Sequence, residues 1–310
     1  ALDGRPLEPL RGHVVVGGSI AFGPDGALIG AGAEDGSVRA YQRGRRSGAY
    51  FFDQRPHKVW SVAVSDDCST LAASYEDGVV SVYRSTDLRQ SHTIRAHRSR
   101  VRDVALDVTG RRIATASDDR TIRLFDIESG RELAQRAAPG RPRIRWLNHT
   151  LVMMGDADTA VVLDENSLAT LRELSLGAGA STLAVDRRGR VAVGTASGSV
   201  RVFTARSGEV IREFVAHPKS IVSALFFLDE ETLASAGTDS VVNTWSLPDG
   251  SKLASTVGIF GVGLAQSPSS RRLIACPMRD DPRVLQRDDL STLIELVGHE
   301  PGTLLCGVVS

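Results

Sequence analysis

The chain has 310 residues, 37 Lys and Arg against 37 Asp and Glu, and 42% hydrophobic residues. Zero net charge argues against a dedicated nucleic-acid binder, which carries a basic excess. The apolar content argues against disorder, and no apolar run reaches the roughly 18 residues of a membrane helix.

Three cysteines, Cys68, Cys276 and Cys306, stand far apart with no CxxC pair. Neither a disulfide framework nor a zinc site is expected, and a reducing, cytoplasmic compartment fits better. Arg outnumbers Lys by 34 to 3, a skew that points to a GC-rich, bacterial genome. Residues 1–6 contain no Met and no charged-then-apolar signal pattern.

In chain order, one pattern returns seven times, at 28–41, 71–83, 113–125, 151–163, 191–203, 233–245 and 273–285. Each unit is an apolar run of small residues, a polar turn, then an alternating run. The closing residues are Tyr41, Tyr83, Phe125, Leu163, Phe203, Trp245 and Leu285, spaced by 42, 42, 38, 40, 42 and 40. A fixed period near 40 marks a repeat architecture, and alternation at period 2 marks half-buried strands. Turn residues such as Pro24-Asp25-Gly26 and Pro248-Asp249-Gly250 punctuate the units. No helical stripe competes, so the chain reads as all-β.

A second register accompanies the strands. His13, His57, His97, His217 and His299 each precede an apolar run. Asp35, Asp77, Asp119 and Asp239 each stand six residues before a closing aromatic. This combination resembles the WD-repeat β-propeller family over essentially the whole chain. No Trp-Asp dipeptide is present, and Phe125-Asp126 is the nearest.

The resemblance implies a seven-bladed propeller of four-stranded antiparallel blades, over 11–53, 54–95, 96–136, 137–176, 177–215, 216–257 and 258–297. Residues 1–10 and 298–310 read as extra strands. They would close the ring, or begin an eighth blade or a second propeller. On that reading the chain is a slice of a longer polypeptide fused to further domains, such as a signalling ATPase or kinase. The resemblance also implies a buried relay of His, Asp, Ser or Thr, and Trp within a blade. The relay residues would be His13 and Asp35, His57 and Asp77, His97 and Asp119, and His217, Asp239 and Trp245. Blade 3 is expected to carry it best, with Thr115 or Ser117 and Phe125. Blades 4, 5 and 7 have Ala157, Ser197, and Arg279 or Asp280 at the Asp position. They are expected to rest on packing and ladder hydrogen bonds.

Catalytic and cofactor signatures are missing from the sequence: no GxxxxGK[ST], no HExxH, no GxSxG. Gly30-Ala31-Gly32-Ala33-Glu34-Asp35-Gly36 has GxGxxxG spacing and opens no helix, so it reads as a strand running into a turn. The histidines recur one blade apart, too far for shared metal coordination at about 2 Å. Asp66-Asp67, Asp118-Asp119 and Asp280-Asp281 fall in turns, where Asp is favoured. No metal and no cofactor are expected. Arg141, Arg143 and Arg145 interleave with Pro142, Ile144 and Trp146. They read as an alternating strand with solvated guanidinium groups, or as a basic strip for an acidic partner or phosphate.

In the family the resemblance names, partners bind the top surface. Carried over by register, blades 2 and 3 place Lys58, Trp60, Arg100 and Arg102 there, ringed by Glu34, Glu76 and Asp118. Blade 6 contributes Ser220, Val222 and Thr238, and blade 7 offers Phe260 and Val262. Trp and Arg are enriched at interaction hot spots, although Trp60 also fits a strand residue packed between blades. The resemblance therefore implies a non-catalytic interaction scaffold or sensor that binds a protein or peptide. Two other readings stand beside it: an enzyme using the central channel, and a nucleic-acid platform. The innermost strands disfavour the first, since 20–22, 62–64, 104–106 and 183–185 are small or apolar.

Overall fold

The computed structural model describes residues 17–23, 28–42, 50–85, 90–138, 140–155, 158–176, 179–258, 263–266, 272–276, 283–286 and 288–295. The predicted extra strands at 1–10 and 298–310 lie outside them, as do His13, Ala157, Phe260, Val262, Arg279, Asp280 and His299. Among the described residues there is no helix, and the strands form seven four-stranded sheets.

Every sheet is an antiparallel meander in which consecutive strands pair. The first comprises Gly17–Phe22, Leu28–Ala33, Ser37–Gln42 and Tyr50–Gln54. The second comprises Val59–Val64, Thr70–Tyr75, Val79–Arg84 and Gln90–Arg95, and the third Val101–Leu106, Arg112–Ser117, Thr121–Asp126 and Glu132–Ala137. The fourth holds Arg143–Leu147, Thr150–Met154, Thr159–Asp164 and Thr170–Ser175. Ala180–Val185, Arg190–Thr195, Ser199–Thr204 and Val210–Val215 make the fifth, and Val222–Phe227, Thr232–Gly237, Val241–Ser246 and Lys252–Val257 the sixth. The seventh comprises Gly263–Gln266, Arg272–Cys276, Arg283–Gln286 and Thr292–Glu295. Successive sheets meet through their first strands, so those strands are innermost and the fourth strands outermost. This is the blade arrangement of a β-propeller.

The core lies between blades rather than within them. Val80, Val82 and Ile94 of blade 2 pack with Val104, Leu106, Ile113 and Phe125 of blade 3. Equivalent clusters join each further pair of consecutive blades through blade 7. Each buried Val, Leu, Ile or Phe contributes roughly 1.5–3 kcal/mol, and because that burial is shared, a blade is stable only beside its neighbours. The closing residues Tyr83, Phe125, Leu163, Phe203, Trp245 and Leu285 are all buried. The alternation that marked them in the sequence is a burial pattern, as in Thr121–Asp126, where Ile122, Leu124 and Phe125 are buried and Thr121, Arg123 and Asp126 less so.

The small residues of the second strands have a cause. Gly32 faces Val59 of the next blade, and a Cβ there would lie 2.3 Å from a Val59 methyl carbon. The glycine-rich stretch thus lets two sheets approach, and it builds no phosphate loop.

Hydrogen bonds also tie innermost strands together. Val62 N–H donates to Ser19 Oγ at 3.1 Å, and Ser61 Oγ donates to Asp103 at 3.1 Å. The buried Asp103 carboxylate also accepts from Ile144 N–H at 3.1 Å and from the Arg145 guanidinium at 2.8 Å. One side chain therefore links blades 2, 3 and 4. A buried carboxylate is tolerable only with donors of this kind.

Candidate partner-binding site

The relay residues fix the turns that form the top surface. In blade 6, His217 is fully buried, with Nδ1 3.0 Å from Asp239 and Nε2 2.9 Å from Ser235 Oγ. Trp245 Nε1 donates to the same Ser235 hydroxyl at 2.8 Å. Assigned from this network, the indole N–H donates to Ser235, Ser235 donates to His217 Nε2, and Nδ1–H donates to Asp239. Every polar atom in that chain is satisfied.

In blade 3, His97 Nδ1 lies 2.9 Å from Asp119 and Nε2 2.8 Å from Thr115 Oγ1. Thr121 holds the other Asp119 oxygen through its N–H at 3.0 Å and its hydroxyl at 2.6 Å. Burial pushes the His97 imidazole below its usual pKa, against the opposing pull of Asp119. Asp119 is held below the usual carboxylate range by the Thr121 hydroxyl and by His97, which outweigh its desolvation. The full relay therefore sits in blade 6 and not in blade 3. Phe125 has no indole donor, whereas Trp245 does.

Blade 2 departs from the expectation. His57 is 44% exposed and stands 3.6 Å from Asp77, outside any buried relay. The backbone shows the reason. The N–H groups of His97 and His217 donate to Gly78 and Gly198, and the equivalent donor to Gly36 is Arg55. Arg55 thus occupies the relay histidine's place, 3.7 Å from Asp77 and 5.2 Å from the centre of the Tyr75 ring. Ala73 replaces the relay Thr, and the buried Tyr75 and Tyr83 hydroxyls meet at 3.1 Å. In blade 1, Asp35 accepts the Ser37 N–H at 2.8 Å, and its predicted partner His13 is outside the described residues. In blade 5, Thr195 replaces the Asp role, accepting the Ser199 N–H at 3.0 Å.

On the surface so framed, the seven predicted residues come together. Trp60 is half-buried on the innermost strand of blade 2. Its ring is flanked by Lys58 Nζ at 4.8 Å, Arg100 Cζ at 4.2 Å and Arg102 Cζ at 5.5 Å from the centroid. Cations at such distances are attracted to the indole face. Each cation also has a carboxylate from a second-to-third-strand turn. Lys58 pairs with Glu34 of blade 1, and Arg102 pairs with Asp118. Arg100 reaches Glu76 of blade 2 at 3.2 Å and Asp118 at 3.7 Å. Among the described residues, Trp60 Nε1 has no hydrogen-bond partner. The result is an aromatic plate clamped by three cations and tied across three blades.

The other top positions fall out differently. Val222 is fully buried rather than exposed, and it packs where Gly194 leaves room. Blade 6 has one more residue than blade 3 between the histidine and the strand, which moves Ile221 and Ser223 to the outward positions. Ile221 is exposed. Two functional-looking contacts had no signal in the repeat pattern. Arg112 joins Asp107 at 3.1 Å, Glu165 at 2.9 Å and the Trp146 ring at 5.3 Å. The other is Asp103 with Arg145. For Arg55 a signal existed: Gly36, Gly78 and Gly198 each precede Arg55, His97 and His217 by 19 residues.

Among the described residues, no three His, Cys, Asp or Glu side chains are placed to hold a metal, and no helix is long and apolar enough to cross a membrane.

Comparison with known proteins agrees with this architecture. Residues 4–42, 50–84 and 88–126 match the family model described as "WD domain, G-beta repeat". The "WD repeat-containing protein SL1-17" of Schistosoma mansoni is 32% identical over 132 residues, covering 41% of this chain and 42% of that protein. A "p21-activated protein kinase-interacting protein 1-like" of Danio rerio is 22% identical over 258 residues, covering 78% and 67%. The "Serine-threonine kinase receptor-associated protein" of Gallus gallus is 22% identical over 207 residues, covering 66% and 59%. The chain spans less than half of SL1-17 and 14% of "Protein HIR1" of Gibberella zeae. Among solved structures, the computationally designed Ika8 protein superposes with a TM-score of 0.78 at 20% identity, covering 95% of this chain and 91% of that one. The fold is thus an all-β propeller, and three stretches of the chain are similar to the WD repeat.

Proposed function

We propose that this chain is a non-catalytic interaction scaffold that binds a protein or peptide partner on the top face of blades 1 to 3. One observation carries the reading: Trp60 lies under Lys58, Arg100 and Arg102, each tied to Glu34, Glu76 or Asp118. An indole with guanidinium neighbours and a carboxylate rim is the make-up of a protein hot spot. Polar groups fixed by ion pairs are also pre-organised, which lowers the entropic cost of binding. The relatives' names, a kinase-interacting protein and a receptor-associated protein, support a binding role. The proposal extends to one propeller over 1–310 with blades at the limits given above, cytoplasmic, bacterial, and part of a larger protein with further domains.

Affinity capture from a lysate of a GC-rich bacterium tests it. The bait would be this chain, compared with equally folded Trp60→Ala and Arg102→Glu variants. The expected result is a protein held by the parent chain and lost by both variants. Equal capture by all three removes the site from blades 2 and 3.

A further inference from the structure

We infer that Arg143, at the axial end of blade 4, anchors a subsite for one carboxylate of an acidic peptide segment. The subsite adjoins the Trp60 face and rests on the proposed binding role for the identity of its natural ligand, but its chemistry stands on separate observations.

The first observation is register. Arg143 pairs with Met154, as Asp103 pairs with Ala116, Ser61 with Ser74 and Ser19 with Gly32. These four residues are therefore equivalent positions on consecutive innermost strands. Ser19, Ser61 and Asp103 are buried, and each holds a neighbouring blade by a hydrogen bond. The Arg143 side chain is exposed and, among the described residues, donates to no hydrogen bond and joins no ion pair.

The second observation is charge. Around Trp60 and the adjoining axial end stand Lys58, Arg100, Arg102, Arg143 and Arg145, against Glu34, Glu76, Asp103 and Asp118. Arg145 is bound by Asp103 and Arg102 by Asp118. Arg143 is the cation left over. Desolvation by the surrounding strands pushes its guanidinium below the usual arginine range; Asp103 opposes this, and Arg145 and Arg102 add to it. The guanidinium stays water-accessible, and Asp103, Arg145 and Arg102 are the charged groups that act on it. A planar guanidinium accepts a carboxylate through two parallel N–H bonds.

The third observation selects the ligand. One uncompensated charge matches one carboxylate. A polyphosphate backbone would bring many negative charges over the Glu34, Glu76 and Asp118 rim, where like charges repel it. A peptide can lay an apolar or aromatic residue on the Trp60 region and place a single Glu or Asp toward the axis.

The test uses as probe a fluorescein-labelled, C-terminally amidated peptide with one aromatic residue and one carboxylate, Gly-Trp-Gly-Gly-Glu-Gly, and as control its counterpart with Gln in place of Glu, read by fluorescence anisotropy. The parent chain should bind the Glu peptide and not the Gln peptide. Arg143→Gln should weaken binding about tenfold, Arg143→Lys should recover part of it, and Arg141→Gln, an equal loss of charge two residues away, should change it little. Urea unfolding of each variant confirms the fold. The inference is overturned by any of four results: no binding of the Glu peptide at millimolar concentration, equal binding by Arg143→Gln, an equal loss in Arg141→Gln, or complete displacement by equimolar inorganic phosphate, which would make it a free-anion site. Because the probe needs no natural partner, this outcome is independent of the capture experiment. Partner capture that survives Trp60→Ala, together with loss of Glu-peptide binding in Arg143→Gln, would refute the Trp60 face and keep the carboxylate subsite.

Discussion

Blade 6 and blade 2 solve one problem in two ways. Both must fill the space between the second and third strands beneath the top turn, and both bring polar atoms there that need partners. Blade 6 does so with His217, Ser235, Trp245 and Asp239 in one hydrogen-bonded chain. Blade 2 has no Ser or Thr at the central position and uses the Tyr75–Tyr83 hydroxyl pair, with Arg55 over the Tyr75 ring. The repeat thus requires volume more than particular residues, and blade 2 tolerates one buried donor, Arg55 Nε, without a partner among the described residues. The substitution also changes the surface. With Arg55 in the relay position, His57 is released to solvent, and a loop of the same length as in blade 3 carries Lys58 and Trp60 onto the face at the positions equivalent to Arg100 and Arg102.

The comparison can be broken most forcefully at His217. His217→Ala leaves a cavity and strips Asp239 and Ser235 of their shared partner, so a loss of about 3 kcal/mol is expected by urea unfolding. His57→Ala, at the position that sequence register equates with it, should cost less than about 0.5 kcal/mol. Similar losses for both would refute the assignment of Arg55 to the relay place. Trp245→Phe and Tyr83→Phe should each cost about 1 kcal/mol, one hydrogen bond apiece. Tyr83→Phe without effect would mean the hydroxyl pair adds nothing to blade 2.

Acid sharpens the same contrast through blade 3. His97 is depressed below its unfolded value near 6.5, so its contribution is full above that pH and declines as pH falls through it. Asp119 is depressed below 3.8, so its contribution is present above that pH and is lost as pH falls further. Both make the fold weaker in acid. The urea midpoint of the parent chain should fall from pH 7.5 to 5 more steeply than that of His97→Gln. A midpoint that rises on acidification would reverse the assigned sign.

The seven sheets were legible because the period and the alternation are burial patterns, and burial is what the packed interface between blades selects. The Trp60 cluster was legible for a similar reason: Lys58, Arg100, Arg102 and the turn carboxylates follow from register alone. What failed had two causes. His57, two residues past the relay place, drew the histidine register to itself and disguised Arg55 as loop, and an extra residue before Val222 turned a buried valine into a supposed surface position. Asp103 with Arg145 stayed hidden for another reason. The pair lies 42 residues apart in sequence, in different blades, and no comparison of a blade with itself reveals it.

Asp103 also bears on how such a chain can change. Repeats of this kind invite shuffling: a unit copied, deleted or transplanted as a cassette. Blade 3 resists that traffic. Moved next to a different neighbour, its carboxylate would keep only backbone donors, its own Val104 N–H and one at the Ile144 position, and would lose the Ser61 hydroxyl on one side and the Arg145 charge on the other. The third blade has become bound to its own address in the ring.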